Sequence, residues 1–149
     1  MAPNTASLLP LLPRIFFVYI EPILISGGIS MQLSPTNTLP AGASIVQTAQ
    51  AGISSSYLLS MMLYGLIILL ATPPNKTLLK LHIGVLILAD FAHWAALFST
   101  MAAADSRGWA GVLDTKSWDQ EIWGLVFAPF ATFLIKVGTL AGVFGRIKG

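Results

Sequence analysis

Asp90 and His93 stand three residues apart in Leu78–Thr100, LLKLHIGVLILADFAHWAALFST, a run otherwise apolar enough to cross a bilayer. An acid at the membrane centre costs roughly 2.5–3.5 kcal/mol on insertion scales, so its presence marks a functional site by default. Residues three apart share a helix face, and Trp94, four on from Asp90, flanks the same stripe. A second mid-membrane acid, Glu21, sits in the first apolar run. Two acids and an imidazole in a water-poor pocket are a reagent set for acid–base catalysis. Burial disfavours the charged form, and acids sharing one pocket resist ionising together, so one stays neutral while the other is a carboxylate. Asp90, oriented or assisted by His93, is expected to be the base and Glu21 the acid; at this point the two roles are interchangeable.

Composition excludes most other chemistry. The chain has 149 residues, 55% hydrophobic and only 9% charged, where a soluble domain carries about 25% charged residues. There is no cysteine, which removes thiol nucleophiles, disulfides and zinc–thiolate sites. The few basic residues lie at the ends of apolar runs, which points away from nucleic acid. No Gly-rich phosphate loop, GxSxG or HExxH is present. Glu21, Asp90 and His93 would suit iron or manganese by type, but no spacing motif supports a metal, and no cofactor is expected.

A helix needs about 20 apolar residues to span the hydrocarbon core. Four runs qualify, at about 12–29, 52–71, 78–100 and 122–144. They predict an all-α polytopic membrane protein, a four-transmembrane-helix bundle forming a single domain over 1–149. Pro22 should kink the first helix and free carbonyls one turn back. Residues 1–11 read as a short exposed arm, 30–50 and 101–121 as loops, and 72–77 as a tight turn with Thr77 as the next N-cap. Trp109, Trp118 and Trp123 read as interface anchors, and Gly138-x-x-x-Gly142 as a close-packing pattern between helices.

Four spans put both termini and the 72–77 turn on one side. That side carries Arg14, Lys76, Lys80, Arg146 and Lys148 without an acid. By the positive-inside rule it faces the cytoplasm, with the endoplasmic reticulum the expected membrane. The sequon Asn75-Lys76-Thr77 is then unused.

Counting inward at about 1.5 Å per residue, Glu21 is roughly 13 Å deep, Lys136 roughly 12 Å and Asp90 roughly 18 Å. Tyr57, Ser60 and Tyr64 form a polar stripe on the second helix near the same levels. Polar groups in hydrocarbon must find one another or water, so a pocket is expected, with Tyr57, Ser60, Tyr64 and Trp94 as substrate contacts. Lys136 reads as structural, either pairing with Glu21 or reaching to the cytoplasmic surface. His82 reads as interfacial.

Two segments carry a resemblance. Phe16-Phe17-Val-Tyr19-Ile-Glu21-Pro22 with Gly27-Gly28, and Ala89-Asp90-Phe-Ala-His93-Trp94, resemble a family of small four-helix fungal membrane proteins. Some of these occur in biosynthetic clusters for polyene α-pyrones of the aurovertin and citreoviridin type. The resemblance implies a membrane epoxide hydrolase or cyclase acting on a lipophilic polyepoxide, with Glu21, Asp90 and His93 as the residues that carry over. A looser likeness is to the four-helix sterol isomerases, which also use buried acids and a histidine; the motifs themselves do not match. The rival reading is a non-catalytic lipid-binding or accessory protein, in which Glu21 and Asp90 pair with Lys136 or backbone. The lipid bilayer is the expected partner, and homodimerisation stays open.

Overall fold

Prolines, two side-chain caps and a glycine decide where these helices start, widen and stop. The computed structural model describes residues 3–33 and 45–148. The described chain is all-α, with four helices long and apolar enough to cross a membrane, at Leu11–Ser30, Gly52–Ala71, Lys76–Ala103 and Ile122–Ala141. Between 17% and 22% of each span is buried within the protein. Residues such as Ile23, Leu63, Leu88 and Phe127 are exposed, which an apolar chain of this kind can sustain only against lipid. The chain is an integral membrane protein. Part of the expected 30–50 loop, residues 34–44, lies outside the described residues; on either side of it the helices extend to Leu33 and begin at Ile45.

The chain divides into two compact units, Met1–Leu79 with Arg146–Gly149, and Lys80–Gly145. In the first unit, α1 (Leu11–Ile15) and α2 (Glu21–Leu33) are joined by a π-helical turn over Phe16–Ile20. The turn follows from Pro22, which has no N–H to give and would clash in a tight helix. The backbone widens, and the Glu21 N–H reaches five residues back to the Phe16 carbonyl. Helix α3 (Ile45–Leu66) repeats the device, since a π turn over Ile67–Ala71 precedes Pro73-Pro74. Thr72 is extended at φ −97°, ψ 147°, as a residue before proline must be.

The N-terminal arm is docked rather than exposed. Thr5, Ala6 and Leu9 are buried. The Thr5 N–H donates to the Thr72 carbonyl (3.1 Å). Its hydroxyl donates to the Pro73 carbonyl (2.7 Å) and lies 2.7 Å from the Thr72 hydroxyl. Arg14 donates to the Ser7 and Leu9 carbonyls, and the Lys148 N–H donates to the Leu8 carbonyl (2.9 Å). These bonds gather both termini and the 72–77 turn at one end, as an even number of spans requires. The N-cap of the following helix, α4 (Lys76–Ala104), is Asn75 and not Thr77: the Asn75 carboxamide accepts from Leu78 N–H at 2.9 Å.

The second unit holds most of α4, the short α5 (Trp109–Leu113) and α6 (Gln120–Ala141). The expected 101–121 loop is largely structured. Arg107 donates to Asp105 through two nitrogens and to Asp114 at 3.0 Å. The Arg107 guanidinium holds the Asp105 carboxyl below the usual range, and Asp105 then Asp114 raise Arg107 in return. The Trp118 indole donates to the Val112 carbonyl (3.0 Å) and its ring meets Trp123 at 4.8 Å. Asp119 caps α6 by accepting from Ile122 N–H.

The Gly138/Gly142 pair forms a helix stop. Gly142 adopts φ 79°, and Val143 N–H returns to the Gly138 carbonyl while Gly142 N–H returns to Thr139. That is the Schellman arrangement. The chain then folds back so that Phe144 lies against Gly138, where a Cβ would come within 2.9 Å of the ring.

Candidate functional site

Asp90 is the middle residue of α4, and it is buried. Its partner is Lys136 of α6, whose ammonium stands 2.9 Å from each carboxylate oxygen. The side chains are 11% and 5% exposed, so the pair lies in a low-dielectric setting. This overturns the expectation that Lys136 reaches the surface, and it matches the pairing of Asp90 with Lys136 in the non-catalytic reading. The reason lies in helix geometry. Cα–Cβ bonds tilt toward the helix N-terminus, so a lysine near the C-terminal end of α6 leans inward, away from its nearest surface. The two charges cancel, which is what makes either tolerable in hydrocarbon.

His93 shares the α4 face with Asp90 as expected, but its ring is engaged elsewhere. Its Nε2 lies 3.0 Å from the Leu125 carbonyl. Trp94 donates its indole N–H to the next carbonyl, Val126, at 3.3 Å. The cause is Pro129, inside α6. It has no N–H for the carbonyl four residues back, and that carbonyl is Leu125. The sequence signal was available: a proline in the fourth apolar run, four residues after a leucine that needs a donor.

Aromatic rings surround this contact. Trp94 meets Phe133 at 5.5 Å and Phe91 at 5.9 Å, and Phe91 meets Phe133 at 5.3 Å. Phe130 is tilted against Trp94 at 6.3 Å. Trp94 is half-buried, whereas Phe91, Phe130 and His93 are exposed.

In the first unit Glu21 is buried at 6% exposure, directly after the π turn. The expected substrate stripe is displaced. Tyr57, Ser60 and Tyr64 are exposed, the tyrosines at 74% and 68%. Among the described residues α3 buries the polar side chain of Ser55, on the face opposite the stripe, where no tyrosine marks it. Among the described residues no group of three His, Cys, Asp or Glu could hold a metal.

Residues 6–146 match a family described as a domain of unknown function, DUF7704. The chain belongs to that family. No curated protein and no solved structure matches the chain. The reading of this DUF7704 chain therefore rests on its own geometry, chiefly the buried Asp90–Lys136 pair.

Proposed function

We propose that the protein is a membrane-embedded acid–base enzyme that opens epoxides on a lipophilic, polyketide-derived substrate, forming cyclic ethers or diols. The observation that carries this is the Asp90–Lys136 pair, a proton acceptor and a proton donor held together and shielded from water. Epoxide opening needs both. The Asp90 carboxylate takes the proton of the attacking water or substrate hydroxyl as the new C–O bond forms. The epoxide C–O bond breaks, and the developing alkoxide takes a proton from the Lys136 ammonium. Transfer of the proton from Asp90 to Lys136 restores the pair, with no net charge created in the hydrocarbon layer. Lys136 thus fills the donor role that the sequence assigns to Glu21; Glu21 enters the proposal as a second buried acid.

The aromatic rings of Phe91, Trp94, Phe130 and Phe133 suit a polyene, and holding it folded favours ring closure over attack by bulk water. The fungal secondary-metabolite setting follows from the resemblance of the Glu21 and Asp90 segments. The basic residues at the end that holds both termini support a cytoplasmic orientation of that end, and the endoplasmic reticulum is the membrane this reading assigns. The test is turnover of a lipophilic polyepoxide by microsomes bearing Asp90→Asn or Glu21→Gln. Loss in Asp90→Asn supports the mechanism; unchanged rates in both discard it.

A second reading is a non-catalytic, lipid-binding accessory protein. One observation favours it: the carboxylate of Asp90 has its two oxygens on one ammonium, so substrate must open the pair to use it.

A further inference from the structure

We infer that His93 and Trp94 form a clamp on the backbone of α6 that positions Asp90 against Lys136, and that the imidazole acts as a positioning group. The inference rests on the proposed acid–base centre for its purpose, but on geometry of its own for its existence. Pro129 leaves the Leu125 carbonyl without its helical donor, and an unsatisfied carbonyl in hydrocarbon is costly unless a neighbouring helix supplies one. His93 stands 3.0 Å from that oxygen. A carbonyl only accepts, so Nε2 carries a hydrogen. Trp94 meets the adjoining Val126 carbonyl at 3.3 Å.

Two consecutive residues of α4 therefore grip two consecutive carbonyls of α6, within one turn of Asp90. The grip fixes both the rotation and the height of α4 against α6. Those are the two coordinates that bring the Asp90 carboxylate to 2.9 Å from Lys136. A ring already committed through Nε2 to a carbonyl cannot accept a proton there, which removes half of its usual catalytic repertoire.

The experiment is a cycle of four proteins in lipid nanodiscs: the natural chain, His93→Leu, Pro129→Ala and the two combined. Alanine at 129 returns an N–H to the Leu125 carbonyl and makes the imidazole dispensable. Two readouts are followed, the thermal midpoint and the 15N signal of the Lys136 ammonium in lysine-labelled protein. His93→Leu is expected to lower the midpoint by about 3 °C and to move the Lys136 signal. Pro129→Ala alone should leave that signal in place, and the combined variant should recover both readouts. A combined variant as impaired as His93→Leu overturns the clamp. If His93→Leu does not accumulate, the 15N imidazole spectrum of the natural protein decides. Hydrogen on Nε2 supports the inference, and hydrogen on Nδ1 alone overturns it. Neither readout depends on turnover, so failure of the epoxide assay leaves the clamp standing, and loss of the clamp leaves the assay interpretable.

Discussion

The two units meet the same problem, a proline within a membrane span, and resolve it differently. At Pro22 the adjustment lies within the helix: the backbone widens to a π turn, and Glu21 N–H reaches the Phe16 carbonyl. At Pro129 the helix stays α and borrows a donor, His93, from its neighbour, while Trp94 adds a bond to the adjoining carbonyl. The first change is in backbone pitch, within one helix. The second binds two spans together and makes each depend on the other's side chains. Helix strain can therefore be used to place one acid, Glu21, by local geometry, and the other, Asp90, by contact between helices.

The contrast is broken most severely at the ion pair. Lys136→Met strands the Asp90 carboxylate in hydrocarbon, and removing one partner of a buried pair costs about 3–5 kcal/mol. Unfolding in detergent measures it, and Lys136→Met combined with Asp90→Asn should cost less than Lys136→Met alone. Pro22→Ala sharpens the comparison. Because that helix already adjusts its pitch around the proline, the change should stabilise the natural chain by a fraction of the roughly 3 kcal/mol an interior proline costs. Pro129→Ala should show such a gain chiefly when His93 is absent.

The architecture was legible because it is written in run length and composition. Four spans, and the common end of the termini and the 72–77 turn, follow from counting apolar residues. Asp90 was legible because an acid is conspicuous in a run such as Leu78–Thr100. Its partner was legible only within the non-catalytic reading, because depth counted along the axis set Lys136 against Glu21 and ignores the direction in which a lysine leans. His93 was seen as chemistry because its type suggests it. The competing explanation required pairing it with a proline 36 residues away (129 − 93) on another helix, a relation that helical periodicity within one segment cannot reveal. The N-terminal arm looked exposed for a similar reason: Thr5 is buried by contacts to Thr72 and Pro73, and nothing local announces them.

Smaller effects are expected at the ends of the spans. Thr5→Val removes the hydroxyl bond to Pro73 and should cost about 1 kcal/mol, read as faster proteolysis of the first ten residues. The loop between α4 and α6 should depend on pH in one direction. Asp105 titrates below its ordinary value because Arg107 binds the charged form. Its contribution is therefore complete above the unfolded carboxyl pKa of about 3.9 and is lost as pH falls through the depressed folded value. Hydrogen exchange of residues 105–114 at falling pH measures this, and Arg107→Gln should abolish the dependence. In the least intrusive test, an N-glycan at Asn75 would reverse the assigned orientation; none is expected.

The most direct measurement separates folding from chemistry at the ion pair. Replacing both members with leucine removes the charges together, and well-packed apolar residues often replace a buried pair without loss of stability. The account predicts that the Asp90→Leu, Lys136→Leu protein accumulates in the membrane with a near-natural unfolding midpoint and turns over lipophilic epoxide at least about 100-fold more slowly. A folded double variant that retains the natural rate would contradict it.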